Sequence, residues 1–171
     1  MIDLSAKIRA IPDFPKPGIL FRDITTLLRD GQAFQQAVDQ MAGLCRQTEF
    51  DLIVAPEARG FIIGTPLAYA LGKGFVPVRK TGKLPGKTRR ASYKLEYGED
   101  NLEIHEDAIL PGTRVLVVDD LLATGGTIRS TVDLVIGLGG VVVGAAFLIE
   151  LMDLRGREML LGYPIHALIK Y

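Results

Sequence analysis

The segment 115-VLVVDDLLATGGT-127 constrains the fold more than any other part of the sequence. Four apolar residues, Val115 to Val118, form a continuous run of the kind found in parallel strands that are buried on both faces. Two aspartates and a turn of small residues follow, and the run from Thr127 to Leu138 then has helical apolar spacing. A strand that passes through a turn into a helix in this way is typical of α/β proteins.

The same alternation recurs along the chain. Asp30 is placed to cap a helix whose apolar positions Phe34, Val38, Met41 and Cys45 recur every three or four residues. A second helix, from Phe61 to the glycine at 72, is apolar on most sides, so we expect cover on both of its faces. Further strand patterns lie at 52–55, 75–78, 141–149 and 165–170. We therefore predict one α/β domain over residues 1–171, with a mainly parallel central sheet flanked by helices.

Two segments depart from this alternation. Residues 80–100 are rich in Lys, Arg and Gly and poor in apolar anchors, which predicts a long mobile loop with a functional role. Within the first 30 residues, the stretch 11-IPDFPKPGILFRDIT-25 contains three prolines. Because proline disfavours regular helix, we expect an extended arm laid over the domain.

Composition excludes several classes of function. The 20 Lys and Arg balance the 20 Asp and Glu, so no overall field favours nucleic acid or an anionic membrane. No apolar run approaches the roughly 20 residues of a membrane-spanning helix, and the N-terminus has no signal-peptide pattern. The single cysteine, Cys45, excludes an internal disulfide framework and is expected in the core. These features predict a cytoplasmic protein that binds a small molecule.

Asp119 and Asp120 are the strongest candidates for a binding site. Ligands of open parallel sheets bind beyond the carboxyl ends of the strands, where these two aspartates fall. Neighbouring carboxylates raise each other's pKa when buried, whereas at a crevice they can accept hydrogen bonds from the vicinal hydroxyls of a ribose. The residues that follow them can supply main-chain N–H groups and hydroxyls to a phosphate at a helix N-terminus: Ala123, Thr124, Gly125, Gly126 and Thr127. An Asp-Asp pair or a Thr-Gly-Gly turn alone would fit a solvated loop, but together they predict a sugar-phosphate site.

Other nucleotide motifs fit less well. The segment 82-GKLPGKT-88 lacks one residue of the Walker A spacing, and no apolar helix follows it. The dinucleotide fingerprint fails near Gly137 because Val142 occupies the place of its third glycine. His105 and His166 are isolated from the candidate motifs, and we expect structural roles for both.

The segment VLVVDDLLATGGT resembles the phosphoribosyl pyrophosphate (PRPP) signature of the type I phosphoribosyltransferases. Three further segments, 18-GILFRDIT-25, 55-APEARGFIIG-64 and 79-RKTGKLPG-86 continuing to 91-ASYKLEYG-98, are similar to those of its adenine-specific members and occur in the same order. The resemblance implies the type I fold with a small N-terminal hood and a flexible catalytic loop. It also implies transfer of 5-phosphoribose from PRPP to N9 of adenine, with AMP and pyrophosphate as products, substrate-bound Mg²⁺ and a homodimer.

By the same resemblance, four basic residues contact pyrophosphate: Arg59, Arg79, Lys80 and Lys83. The last three are expected to reach in from the partner subunit. Glu96 matches the loop glutamate that exchanges a proton with the purine, and Tyr97 is expected to pack over the closed site. Phe21 is expected to stack on adenine, while the main chain of Leu20 and Arg22 reads its Watson–Crick edge. The resemblance also implies a cis peptide bond near residues 57–59, which the sequence alone does not show.

Two alternatives stay open from the sequence. The first is a phosphoribosyltransferase for another base, such as hypoxanthine, guanine, uracil or orotate, against which the LFRD and LEYG segments argue. The second is a regulator that keeps the PRPP site as a sensor. Such a regulator is expected to carry an additional basic nucleic-acid module, for which a balanced chain of 171 residues leaves little room.

Overall fold

The computed structural model describes residues 1–94 and 99–171, and at 92–94 and 99–100 the description covers the backbone alone. Four α-helices are described: α1 Thr25–Leu28, α2 Gly31–Cys45, α3 Arg59–Leu71 and α4 Gly126–Gly137. The strands are β1 Arg9–Ile11, β2 Phe21–Asp23, β3 Leu52–Pro56, β4 Gly74–Lys80, β5 Thr88–Lys94, β6 Glu99–His105, β7 Arg114–Leu122, β8 Val141–Glu150 and β9 Ile165–Lys170. Three 3-10 helices span Ser5–Lys7, Met152–Leu154 and Gly156–Leu160.

A seven-stranded sheet in the order β5-β6-β4-β3-β7-β8-β9 forms the centre of the molecule. Strands β4, β3, β7, β8 and β9 pair in parallel with one another. Strand β6 pairs antiparallel with β4, and together β5 and β6 form an antiparallel hairpin at one edge of the sheet. One apolar core lies between the sheet and helices α2 and α3, and a second lies under α4. The predicted α/β fold with a mainly parallel sheet flanked by helices is confirmed.

Helix α2 begins where the sequence predicts. The carboxylate of Asp30 accepts a hydrogen bond from the main-chain N–H of Ala33 at 3.2 Å, which caps the helix. Met41 and Cys45 are buried as expected, and the other buried positions of this helix face include Ala33 and Ala37. Phe34 and Val38 lie at its margin and are only partly buried.

The expectation that helix α3 is covered on both faces is wrong for the single chain. Its buried side packs Ile63 and Leu67 against the core, and the helix ends at Gly72 in the left-handed conformation, as predicted. Tyr69 is 90% exposed and Ile62 is 39% exposed on the opposite side. The mostly apolar composition of the helix therefore did not reveal that one of its sides is exposed at the surface of the chain.

Residues 80–100 contain more regular structure than the predicted loop. From Thr88 onward the backbone forms β5, which pairs with β6. The buried side chains of Leu102 and Ile104 in β6 hold the hairpin in place. Both lie just beyond residues 80–100, the segment that has too few apolar residues of its own to predict this structure. The buried carboxylate of Glu103 also accepts hydrogen bonds from the main-chain N–H groups of Gly82 and Leu84. Among the described residues of this segment, only those from Thr81 to Lys87 lie in a connection between strands.

The N-terminal arm is a short hairpin and not a simple extended strand. Strands β1 and β2 pair antiparallel, with Ile11 opposite Phe21, and a proline-rich connection of residues 12–20 joins them. The buried carboxylate of Asp23 accepts hydrogen bonds from the main-chain N–H and the hydroxyl of Thr25, both at 2.9 Å, and it pairs with the guanidinium of Arg9. This set of donors holds the arm against the start of α1.

Within the part of the chain that the structure describes, every helix is too short or too polar to cross a bilayer.

Removal of the charge on Asp23 should loosen this arm. The N–H of Thr25 and the guanidinium of Arg9 lower the pKa of Asp23 from 3.8 to about 2. A lowered pKa means that the charged form stabilises the folded state above pH 3.8, and that this contribution is lost as the pH falls through about 2. We expect Asp23→Asn to lower the free energy of unfolding near pH 7 by about 1–3 kcal/mol.

Urea denaturation at a series of pH values between 3 and 7 measures this difference. The gap between wild type and Asp23→Asn should narrow below about pH 4. The exposed Asp39→Asn serves as the control and should match wild type at every pH. A gap that stays constant with pH would contradict the ionic role of Asp23.

Candidate functional site

Asp119 and Asp120 lie within strand β7 and not in the turn after it. The sequence predicts a strand in the apolar run from Val115 to Val118, but the pairing of this strand with β8 continues through Leu122 opposite Glu150. The longer strand carries both aspartates to the carboxyl edge of the sheet, where they line a cavity of about 170 Å³. The cavity is completed by Arg59 and by residues 121–128.

The two aspartates form an electrostatically costly pair. Asp120 is buried and Asp119 is partly buried, and the carboxylate of Asp119 accepts the main-chain N–H of Asp120 at 2.8 Å. Burial, together with the neighbouring charge of Asp120, raises the pKa of Asp119 well above its ordinary value. Burial also raises the pKa of Asp120, although the guanidinium of Arg59 opposes this effect. The pair therefore favours any ligand that brings hydrogen-bond donors.

One oxygen of this pair has no hydrogen bond. Oδ2 of Asp120 is buried and lies 3.1 Å from Nε of Arg59, an ion-pair contact whose geometry does not make a hydrogen bond. Among the described residues it is the one buried side-chain N or O atom without a hydrogen-bond partner. Buried acceptors of this kind are usually satisfied, so an external donor is expected here.

Gly60 permits the close approach of helix α3 to the aspartates. A Cβ at this position would lie 2.9 Å from Oδ1 of Asp119 and 3.1 Å from Cδ of Pro56. Arg59 was among the predicted site residues, whereas Gly60 was not. The signal was available, because a glycine in the first turn of a helix is unfavourable unless another group must approach its backbone.

The turn after β7 leads into helix α4 as predicted. Gly125 is the N-cap residue with φ of 87°, a conformation that favours glycine, and no side chain caps the helix. The first N–H groups of α4 therefore receive no side-chain cap, and the first residues of the helix line the same cavity as the aspartates. Thr124 and Thr127 also line the cavity. An anion, and a phosphate in particular, suits this helix N-terminus.

Arg79, Lys80 and Lys83 gather around Glu57 and do not line the cavity. Nε and Nη2 of Arg79 donate to Oε2 of Glu57 at 3.0 and 2.9 Å, and the main-chain N–H of Lys80 donates to Oε1 at 2.7 Å. Nη1 of Arg79 also donates to the carbonyl of Lys83 at 3.3 Å. Burial opposes ionisation of Glu57, but these donors keep its pKa below the ordinary value. Glu57 was not predicted, since its partners lie more than 20 residues away.

The peptide bond between Glu57 and Ala58 is cis, as the family resemblance implied.

The arm brings Phe21 close to the cavity. The ring of Phe21 packs edge-on against Phe14, with centroids 5.2 Å apart, and Cζ of Arg59 lies 5.4 Å from its centroid. Leu20 is 47% exposed beside it. The guanidinium of Arg22 lies 3.6 Å from the centre of the Tyr171 ring, which gives the arm a cation–π contact. Arg59 thus connects the arm with the aspartate pair.

The predictions for Glu96 and Tyr97 fall outside the described residues. His105 and His166 lie away from the cavity, where their Nε2 atoms contact the carbonyl of Pro85 at 2.9 Å and the hydroxyl of Thr48 at 3.1 Å. Cys45 is buried in the core as expected, and burial raises the pKa of its thiol to about 11.

Larger hollows exist elsewhere, including one of about 390 Å³ beside Phe50 and Arg114. We place the site in the smaller cavity because its lining combines a carboxylate pair, a cation and a helix N-terminus. Within the described parts of the chain, no group of three or more His, Cys, Asp or Glu side chains could hold a metal ion.

Known proteins are similar over the whole chain. The model of the phosphoribosyl transferase domain matches residues 25–160. An adenine phosphoribosyltransferase of Desulforamulus reducens is 61% identical, with 99% of this chain and 98% of that protein covered. The crystal structure of the Thermoanaerobacter pseudethanolicus adenine phosphoribosyltransferase superposes with a TM-score of 0.97 at 57% identity, over 99% of this chain and 98% of that one.

A more distant structure agrees. The adenine phosphoribosyltransferase of Saccharomyces cerevisiae, solved with adenine and an imino-altritol bisphosphate, is 40% identical and superposes with a TM-score of 0.91, over 97% of this chain and 96% of that one. The resemblance found in the motifs is therefore confirmed over nearly the full length. The chain belongs to the adenine phosphoribosyltransferases, within the type I phosphoribosyltransferase family.

Proposed function

We propose that the chain transfers 5-phosphoribose from PRPP to N9 of adenine and releases AMP and pyrophosphate. The observation that carries this proposal is the unsatisfied carboxylate oxygen of Asp120, placed beside Asp119 and the start of α4 in one cavity. A ribose 5-phosphate supplies what this cavity lacks, namely hydroxyl donors for the acids and an anion for the helix N-terminus. The adenine specificity of the relatives provides the base.

In this assignment the 2- and 3-hydroxyls of the ribose donate to Asp119 and Asp120. Hydrogen bonds to the charged carboxylates lower their pKa values and offset the cost of burying the pair. The 5-phosphate accepts hydrogen bonds from main-chain N–H groups and hydroxyls of the turn: Ala123, Thr124, Gly125, Gly126 and Thr127. Arg59, whose Nε lies 3.1 Å from Oδ2 of Asp120, is then available to the departing pyrophosphate.

The basic cluster completes the leaving-group site. When the C1–O bond of PRPP breaks, positive charge develops on the ribose and negative charge on pyrophosphate, so fixed cations stabilise the transition state. Arg59 supplies one cation from the same chain. Arg79, Lys80 and Lys83 are assigned to pyrophosphate across a dimer interface, and the hydrogen bonds of Arg79 and Lys80 to Glu57 support a fixed geometry for this cluster.

The arm reads the base. Phe21 stacks on adenine, and the main-chain groups of Leu20 and Arg22 pair with its Watson–Crick edge. A main-chain carbonyl accepts from the 6-amino group of adenine but repels the 6-oxo group of hypoxanthine or guanine, so the wrong base leaves polar groups unpaired. Glu96 is assigned to proton exchange with the imidazole ring of the purine, and Tyr97 to closure of the loop over the site.

Mg²⁺ is proposed to enter with PRPP. The described residues offer carboxylate oxygens at Asp119 and Asp120 but no cluster that would cage a metal, so they fit an ion held chiefly by substrate oxygens and water. When bound, Mg²⁺ neutralises charge on the pyrophosphate group.

We also assign the protein to the cytoplasm. Its single cysteine is buried and cannot form an internal disulfide, which fits a reducing compartment.

A homodimer is proposed from the exposed face of α3. Ile62 and Tyr69 stand seven residues apart and so lie on one side of the helix, which a partner subunit could cover. This helix begins at Arg59, so a partner that packs on it lies close to the site.

The choice of base is tested with purified protein, PRPP and Mg²⁺ and one of three bases. We expect AMP from adenine at a rate several orders of magnitude above IMP from hypoxanthine or GMP from guanine, because a site that hydrogen-bonds the correct base rejects its analogue by about 10⁴-fold. Nucleotide formation is followed by chromatography. Faster use of hypoxanthine than of adenine would contradict the assignment.

The ribose assignment is tested with Asp120→Asn. Loss of a charged hydrogen bond costs about 1.5–3 kcal/mol, so we expect KM for PRPP to rise roughly 10- to 150-fold. Glu96→Gln should instead lower kcat with a small effect on KM, since it removes only the proton acceptor. The exposed Asp39→Asn is the matched control. Wild-type kinetics in both Asp120→Asn and Glu96→Gln would remove these site assignments.

The dimer is tested with Tyr69→Lys and analytical ultracentrifugation. A lysine in the centre of an apolar interface should shift the protein toward monomer, and activity should fall because the partner's basic cluster is lost. Leu110→Lys, which changes another exposed apolar residue (73% exposed) in the connection between β6 and β7, should leave both properties intact. A wild type that sediments as a monomer and is fully active would refute the dimer.

A further inference from the structure

The segment that follows β8 packs directly on the phosphate-binding turn. The main-chain N–H of Leu151 donates to the carbonyl of Leu122 at 3.0 Å, which joins the segment to the end of β7. A Cβ on Gly156 would lie 2.3 Å from the carbonyl oxygen of Ala123 and 2.8 Å from Cδ1 of Leu122. Two main chains therefore meet here without room for a methyl group.

The contact is reciprocal. A Cβ on Gly125 would lie 2.7 Å from the carbonyl oxygen of Gly156 and 3.0 Å from Cβ of Met159. Both glycines are thus required by the same approach, although Gly125 also has a positive φ. The backbone of Gly156 has a conformation that any residue adopts, so steric contact alone excludes a side chain at this position.

A buried ion pair fixes the segment in place. The carboxylate of Glu150, at the end of β8, is 2% exposed and pairs with both Nε and Nη2 of Arg157, the latter at 2.7 Å. Nη1 of Arg157 also approaches the carbonyl of Ile165, where β9 begins. Arg157 directly follows Gly156. Its bidentate contact with Glu150 and its contact with Ile165 therefore connect the glycine to strands β8 and β9.

We propose that Leu151–Leu160 is a buttress that sets the position of the phosphate-binding turn, with Gly156 and Arg157 as positioning residues. Neither residue touches substrate in this account, and the proposal rests on the proposed phosphate site at residues 123–127. Because phosphate is held by main-chain N–H groups, its affinity depends on where the backbone lies to a fraction of an ångström. A displaced turn should weaken ligands that carry a 5-phosphate and leave the base and ribose contacts intact.

The experiment compares the dissociation constants of AMP and adenosine by calorimetry, since the two differ only in the phosphate. The ratio of the two affinities isolates the phosphate contribution, and a general loss of stability does not change it. We expect Gly156→Ala to reduce this ratio about 10- to 100-fold. Thr127→Ala, within the turn itself, should reduce the ratio directly. Gly43→Ala, an exposed helical glycine with open space around it, is the matched control and should preserve the ratio.

Arg157→Lys provides a second variant that keeps the charge and the space but loses the two-pronged contact. It should reduce the ratio by a smaller factor, and it decides the question if Gly156→Ala does not fold. A reduced ratio in Thr127→Ala with an unchanged ratio in the buttress variants would overturn the buttress and leave the phosphate site standing. Equal affinities of the wild-type protein for AMP and adenosine would overturn the phosphate site and the buttress with it.

Discussion

The buried pair of carboxylates at the end of β7 is the interaction on which the rest of the site depends. Burial and the charge of Asp120 raise the pKa of Asp119, burial raises the pKa of Asp120, and Oδ2 of Asp120 lacks a hydrogen bond. Such an arrangement is stable only if nearby groups compensate for it. Arg59 supplies an opposite charge at 3.1 Å, and Gly60 allows helix α3 to bring that charge near. The remaining need for donors is the reason that we propose a ribose diol as the ligand of this cavity.

Much of this arrangement could be predicted from the sequence because its signals are local. The run from Val115 to Thr127 contains a buried strand, two acids and a helix start within 13 residues, and each follows from neighbouring residues alone. The cap at Asp30 and the stop at Gly72 are equally local and were found. The hairpin β5–β6 was missed because its stability comes from Leu102 and Ile104, outside the polar segment that was judged alone. The arm hairpin was missed because nine intervening residues obscure the pairing of two three-residue strands.

The supporting acids could not be found in the same way. Glu57 holds Arg79 from 22 residues away, and Glu103 holds the N–H groups of Gly82 and Leu84 across the hairpin. Each of these carboxylates is defined by a partner that only the folded chain brings close. In the same way, Glu150 at the end of β8 fixes the position of Arg157. Three buried or partly buried glutamates thus hold backbone and side-chain groups of neighbouring segments in place, whereas Oδ2 of Asp120 in β7 keeps no hydrogen bond.

A crystal structure of the protein with bound AMP tests the central claim most directly. We expect the 2- and 3-hydroxyls of the ribose within hydrogen-bonding distance of Asp119 and Asp120, with Oδ2 of Asp120 accepting a hydrogen bond from one of them. We also expect the phosphate on the main-chain N–H groups between Ala123 and Thr127. A ribose bound elsewhere, with Oδ2 of Asp120 still lacking a hydrogen bond, would contradict the account.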